Sequence, residues 1–305
     1  MIRHWLTASL LLLGLGTALA QIGPTPLVLP HFSFPTTGGG AYSGPGDVVS
    51  GATAWYGLRA YSLATAGGKS INITRASDST SRDINTLANG NFDTATASTF
   101  CNATTCTVNT MYDQTQGNHC TAASCDLASG NGNLIFNCLG THPCVQFLTA
   151  GLFIISSNNI TPASNSILTL EAVAAETLSS ASGANLLFTE NTSTANTLSN
   201  PTGVSYLMNL GGSAISKAIT QNAFNAIIGV INSGASASVL NVSGSETTGT
   251  ITKSTTANTP EVASFNSANF EIIEVGFWDT VAFSSTQRTN MCHNAFTYWG
   301  TATSC

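Results

Sequence analysis

The sequence predicts an all-β fold: a sandwich of short strands with a few short helices and disulfide staples. Three observations predict it. Short apolar runs recur at intervals of roughly 10 to 20 residues, each bounded by Gly, Asn or Ser, the rhythm of strands and turns in sandwiches and barrels. Apolar residues make up 43% of the 305-residue chain and charged ones only 7%, which gives enough material for a core and a surface of hydroxyls and amides. Eight cysteines, most of them at short spacing, suit an oxidised framework.

In chain order, Arg3 and His4 precede an apolar stretch from Leu6 to Leu15, and Ala18-Leu19-Ala20 is a small-x-small cleavage site. This reads as a signal peptide over residues 1–20, too short to anchor in a bilayer, with a mature chain starting at Gln21. Residues 21–46 are dense in Pro and Gly and read as an extended lead-in. Residues 47–305 read as one domain, since β-sandwiches routinely exceed 200 residues. Trp55, Leu58 and Tyr61 are spaced for one or two helical turns near Ala52–Ala60, and Ser70–Arg75 alternates as a strand. Asp93 caps a helix running to Thr99, which delivers Phe100 and Cys101 to a tight loop. Further strands are expected at Leu134–Phe136, Val145–Phe147, Ile167–Leu170, Leu186–Phe188, Tyr206–Met208, Ala226–Ile231 and Val239–Val242, and the clearest at Phe270–Trp278. Ser284 with Gln287 three residues on is a capping box for a last helix carrying Arg288, Met291, His293, Phe296 and Trp299.

Eight cysteines allow 105 pairings. Spacing suggests Cys101 with Cys106, Cys120 with Cys125, Cys138 with Cys144, and Cys292 with Cys305. The rival use is a zinc site with His119, His142 or His293; without a Cys-x-x-Cys pair, and with an export signal, the staples are the better reading and no metal or cofactor is expected. Losing Arg3 with the leader leaves 14 acidic against 7 basic residues, and no basic cluster marks a nucleic-acid partner. No Gly-x-Ser-x-Gly elbow suggests a serine hydrolase. Sequons at Asn72, Asn102, Asn159, Asn191 and Asn241 act only in a host that glycosylates them.

The loop Phe100-Cys101-Asn102-Ala103-Thr104-Thr105-Cys106, the strand running to Tyr112-Asp113-Gln114, and the turn Gly117-Asn118-His119 resemble the catalytic domain of secreted α-L-arabinofuranosidases of the B type. Trp55–Ser62 and Arg75-Ala76-Ser77-Asp78 sit where that family has its opening helix and first strand. The similarity covers Gly44 to Gln114, and more loosely Phe270 to Trp299; between about 150 and 262 only the rhythm of strands matches. The resemblance implies a concanavalin A-like jelly roll and a retaining glycosidase. It also implies a nucleophile Glu in an Asp-x-Glu-Asn strand, an acid/base Asp in a Gly-Gly-Asp-Asn stretch, and a vicinal Cys-Cys pair. This chain departs at all three: Asn209 and Gly211 stand in the first, Asn266 in the second, and no two cysteines adjoin. An amide cannot serve as nucleophile or titrating acid. The family's arabinose-binding domain is not expected either, as the chain ends at Cys305.

Replacement carboxylates are sought at Glu274, Glu271 and Glu171. On an ideal strand Glu274 shares a face with Trp278, an aromatic platform beside an acid, while Glu271 faces the other way. Trp278, Asn209 and Asn266 are the candidate sugar contacts, and Asp113 reads as a turn-forming residue. The sequence therefore points to a secreted, periplasmic or cell-surface monomer whose partner is a polysaccharide, arabinose-containing if the resemblance extends to the ligand. Once the leader is cleaved, no membrane segment is expected. Two rivals stand beside this glycan-binding reading: an active α-L-arabinofuranosidase with relocated acids, and a structural or adhesive domain.

Overall fold

Phe270–Asp279, the clearest apolar run of the sequence, is the strand about which the larger of two antiparallel sheets is arranged. The computed structural model describes residues 41–121, 132–140, 142–147, 151–154, 167–176, 185–190, 197–200, 205–210, 213–232, 237–250, 260–264, 270–301 and 305. The first half of the chain forms α1 (Pro45–Val48), β1 (Ala54–Gly57), a 3-10 turn (Leu63–Thr65), β2 (Lys69–Arg75), β3 (Ser81–Asn85) and α2 (Thr94–Phe100). Then come β4 (Cys106–Met111), β5 (Cys120–Thr121), β6 (Gly132–Cys138), β7 (His142–Phe147), β8 (Gly151–Ile154), β9 (Leu168–Glu176), β10 (Asn185–Glu190), β11 (Thr197–Asn200) and β12 (Ser205–Leu210). The chain continues through β13 (Ser213–Ala218), β14 (Asn225–Ile231), β15 (Ser238–Val242), β16 (Ser245–Gly249), β17 (Pro260–Ser264), β18 (Phe270–Asp279) and α3 (Ser285–Trp299).

Among the described residues the larger sheet runs β16-β15-β14-β9-β18-β7-β6-β4-β2-β3, with β1 added on β18 and β5 on β4. The smaller sheet runs β13-β12-β11-β10-β17-β8. One edge of β18 pairs with β9 along its length, while β7 and β1 divide the other edge between them. The central strands are buried on both faces, so they read as unbroken apolar runs with no alternation. One face carries Leu170, Ala172, Val275, Phe277, Ile227 and Leu240 in register. Gly249 lies on this face, and a Cβ there would come 2.9 Å from Ile215 of β13. This close approach joins the two sheets into a sandwich. The opposite face is covered by α3, whose Met291, Cys292, Ala295 and Trp299 are buried.

The two capped helices form as expected. Asp93 Oδ1 accepts from Thr96 N at 3.0 Å; Ser284 Oγ accepts from Gln287 N at 3.2 Å, and Gln287 Oε1 accepts from Ser284 N at 2.8 Å. Gly300 ends α3 at φ +62°, a left-handed cap that suits glycine. The helical turn expected near Trp55 is instead the strand β1, every residue of which is buried. The three-residue spacing of Trp55, Leu58 and Tyr61 runs past the end of this strand, and a strand covered on both sides shows no period of two to contradict it. Helix α1 begins at Pro45, inside the stretch read as lead-in; proline at a first helical position leaves no extra donor unpaired.

Disulfides join Cys101–Cys106, Cys138–Cys144 and Cys292–Cys305, as spacing suggested. Cys120 is also disulfide-bonded, and its expected partner Cys125 lies outside the described residues. The bond at the end of α3 closes a loop of sequence separation 13. Replacing Cys292 and Cys305 with serine should therefore lower the unfolding free energy by about 3 kcal/mol, measured by urea titration of the oxidised protein.

Candidate functional site

The acids singled out from the sequence converge under α3. Arg59, just beyond β1, donates from Nε to Glu274 Oε2 at 2.6 Å and from Nη2 to Glu274 Oε1 at 2.7 Å. Both side chains are 0% exposed. Gly57 stands opposite Glu274, where a Cβ would press on Glu274 Cβ at 3.1 Å and Trp55 Nε1 at 3.0 Å. The Tyr298 and Trp299 rings wall the guanidinium at 4.7 and 5.9 Å. Burial opposes the charge on Arg59, but the Glu274 carboxylate outweighs it and the guanidinium is held charged.

Glu171 pairs in register with Gly276, at 1% exposure, and among the described residues neither of its oxygens has a hydrogen-bond partner. Burial, reinforced by the nearby Glu274 and only partly offset by Arg59, raises its pKa well above 4.5, which favours the neutral acid in the folded protein. Glu271 is expected to face away from Trp278, yet it shares their face. A bulge between Ile272 and Glu274 adds a residue to β18 and reverses the alternation, so that Glu271 pairs with Ala175 on the Glu171 side of β9. Its Oε1 accepts from Gln146 Nε2 at 2.9 Å, and burial raises its pKa. The Cys138 and Cys144 sulfurs lie within 4.8 Å of its carboxylate, but they are bonded to each other and supply no thiolate for a metal.

This cluster is an interior. A retaining glycosidase needs two carboxyls facing a sugar and a water, whereas Glu274 is closed in a bidentate ion pair and Glu171 is covered. Trp278 is 0% exposed and packs against Trp55 and Phe283, at ring separations of 6.3 and 4.8 Å. Its ring belongs to the core and presents no face for a sugar to stack on, which corrects the platform expected of it. Asn209 lies in β12 of the other sheet, opposite Thr197 and Ala214, and Asn266 lies outside the described residues.

An open pocket of about 430 Å³ lies elsewhere, between residues 64–69 and the Tyr112–His119 turn. Asp113 builds the turn. Its Oδ1 accepts from Trp55 N, Thr115 N and Thr115 Oγ1, and its Oδ2 from Gln116 N and Asn118 N. It is the single carboxylate of the lining, and both its oxygens are engaged. Next to the pocket, Lys69 Nζ pairs with Asp83 Oδ2 at 2.6 Å, while Tyr112 Oη and Asn72 Nδ2 each donate to Asp83 Oδ1 at 2.7 Å. Burial tends to raise Asp83, but these three donors overcome it and hold the carboxyl down at about 2. Tyr112 is pushed up to about 12 by burial and by its bond to Asp83. Sequence reasoning marked the Tyr-Asp-Gln motif but missed Lys69 and Asp83, because only strand pairing brings β2 and β3 beside it.

Two outcomes follow from the buried cluster. Arg59→Met strands the Glu274 charge and should cost about 3–5 kcal/mol in urea unfolding, with most of it recovered in the Arg59→Met/Glu274→Met double variant. The folded form also binds the Glu171 proton more tightly than the unfolded chain, so this contribution is full below pH 4.5 and declines as pH rises above it. Glu171→Gln should remove the decline. Its advantage over wild type in thermal unfolding should be near zero at pH 4 and grow by up to about 1.4 kcal/mol per pH unit until the folded pKa is passed.

Residues 49–142 match the family described as alpha-L-arabinofuranosidase B, catalytic. The fold matches a crystal structure of arabinofuranosidase complexed with arabinofuranosyl-alpha-1,2-xylobiose at TM-score 0.65 and 16% identity, over 84% of this chain and 65% of that one. It also matches a GH54 α-L-arabinofuranosidase soaked with a cyclic sulfate inhibitor at TM-score 0.62 and 15% identity, with the same coverage. The chain thus spans 65% of the length of these structures. No curated protein matches. The sandwich seen here is the concanavalin A-like jelly roll of those enzymes, and the chain is similar to the catalytic domain of α-L-arabinofuranosidase B.

Proposed function

We propose that this protein is an exported carbohydrate-binding jelly roll that does not cleave its ligand. The observation that carries this reading is the closure of Glu274 by Arg59 at 0% exposure, on a scaffold similar to enzymes solved with arabinofuranosyl ligands. A carboxylate held by two charge-assisted hydrogen bonds, away from water, offers neither attack nor proton transfer to a glycoside. The leader over residues 1–20 is removed and residues 21–46 lead into the domain. The mature protein acts as a monomer outside the reducing compartment, without cofactor, metal or nucleic-acid partner. Its disulfides support that location, and among the described residues no helix is long and apolar enough to cross a membrane.

One observation favours a second reading, an active arabinofuranosidase. Glu171 adjoins Glu274 and has a raised pKa, a property that catalytic acids share. Incubation of the oxidised mature protein with a chromogenic α-L-arabinofuranoside and with insoluble arabinan separates the two. The binding reading expects retention on arabinan and no release of chromophore. Release that is lost in Glu171→Gln would replace it with the enzyme.

A further inference from the structure

We propose that the open pocket beside Tyr112 binds a neutral sugar ring through vicinal hydroxyls, with Lys69 and Asp83 as the bracket. The assignment rests on the carbohydrate-binding reading above and gives it a location. The pocket's volume of about 430 Å³ lies in the range that holds small ligands. Residues of the 64–69 segment, Lys69 among them, line the pocket together with the Tyr112–Thr115 turn and His119, and Asp83, the ion-pair partner of Lys69, stands just outside that lining.

The chemistry follows from which polar groups are already committed. Asp113 is not available, since its two oxygens hold the turn. Asp83 Oδ1 is filled by Tyr112 and Asn72, whereas Oδ2 has Lys69 as its partner. An ionised carboxylate oxygen has two lone pairs and an ammonium three hydrogens, so among the described residues the ion pair keeps one acceptor site and two donor hydrogens to offer, with the ammonium 5.1 Å from the centre of the Tyr112 ring. Both side chains reach solvent, at 56% and 33% exposure. Adjacent sugar hydroxyls need this combination, one accepting from the ammonium and the other donating to the carboxylate. The Tyr112 and His119 rings meet at 83° with centroids 5.0 Å apart, an aromatic corner against which the C–H face of a sugar can lie. The ligand is neutral because the bracket is: an anion entering beside Lys69 would meet Asp83, and a cation the reverse.

The test is calorimetric titration of the oxidised protein with arabinotriose, xylotriose, cellotriose and trigalacturonic acid, on wild type, Lys69→Met and Asp83→Asn. An ion pair this exposed contributes little to folding, so both variants should unfold within a few degrees of wild type, and this is checked by thermal melting. At least one neutral trisaccharide should bind wild type, with affinity at least tenfold weaker in each variant. Neutral binding equally tight in both variants would overturn the pocket assignment and leave the carbohydrate-binding reading intact. Trigalacturonic acid binding more tightly than every neutral probe would overturn the ligand class. Absence of binding by wild type to all four would remove the carbohydrate-binding reading, and this site with it.

Discussion

The fully buried Arg59–Glu274 ion pair is the constraint around which the helix-covered face of the larger sheet is built. It links residues 215 apart in sequence and lies between the central strand of the larger sheet and the helix that covers it. Two charges removed from water are costly, and their attraction repays that cost only where the geometry is close. The pair also sets demands on its surroundings. Gly57 leaves room for the pair, Tyr298 and Trp299 of α3 lie over the guanidinium, and Tyr42 donates its hydroxyl to the Ala60 carbonyl from the N-terminal side. Arg288 holds the opposite end of α3 through Glu246 of the edge strand β16 and through the Phe283 carbonyl. In a chain with only 8 basic residues, two of them are spent on seating one helix.

That use of charge separates scaffold from chemistry. The strand that carries Glu274 supplies structural acids on one face and core aliphatics on the other, and both faces are covered. Among the polar groups that solvent reaches are those around β2, β3 and the Tyr112 turn. There Asp113 sustains the backbone and Asp83 stays ionised among three donors. Similarity to a glycosidase is thus a statement about the fold, and function has to be argued from the groups that solvent can reach.

Much of this was legible in the sequence. Capping residues Asp93 and Ser284, the short cysteine loops and the run Phe270–Trp278 all act locally, so neighbouring residues suffice to read them. The resemblance around Phe100–Gln114 reached the right fold for the same reason. What failed was non-local. Trp55, Leu58 and Tyr61 look helical because burial of β1 on both faces erases alternation. The polar edge strands β3 and β16 have no apolar pattern to announce them. Glu271 was placed on the wrong face because a bulge in β18 is specified by its pairing with β9. Glu274 looked like a free acid beside an aromatic platform, since nothing near it in sequence mentions Arg59.

The separation of a buried ion pair from a sugar-binding surface is tested most directly by a crystal structure of the oxidised protein soaked with an arabino-oligosaccharide. Sugar density is expected against Tyr112, with Lys69 and Asp83 in hydrogen-bond reach, and the Arg59–Glu274 pair unchanged beneath α3. Sugar density in contact with Glu171 and Glu274, with α3 displaced and Arg59 released, would contradict it.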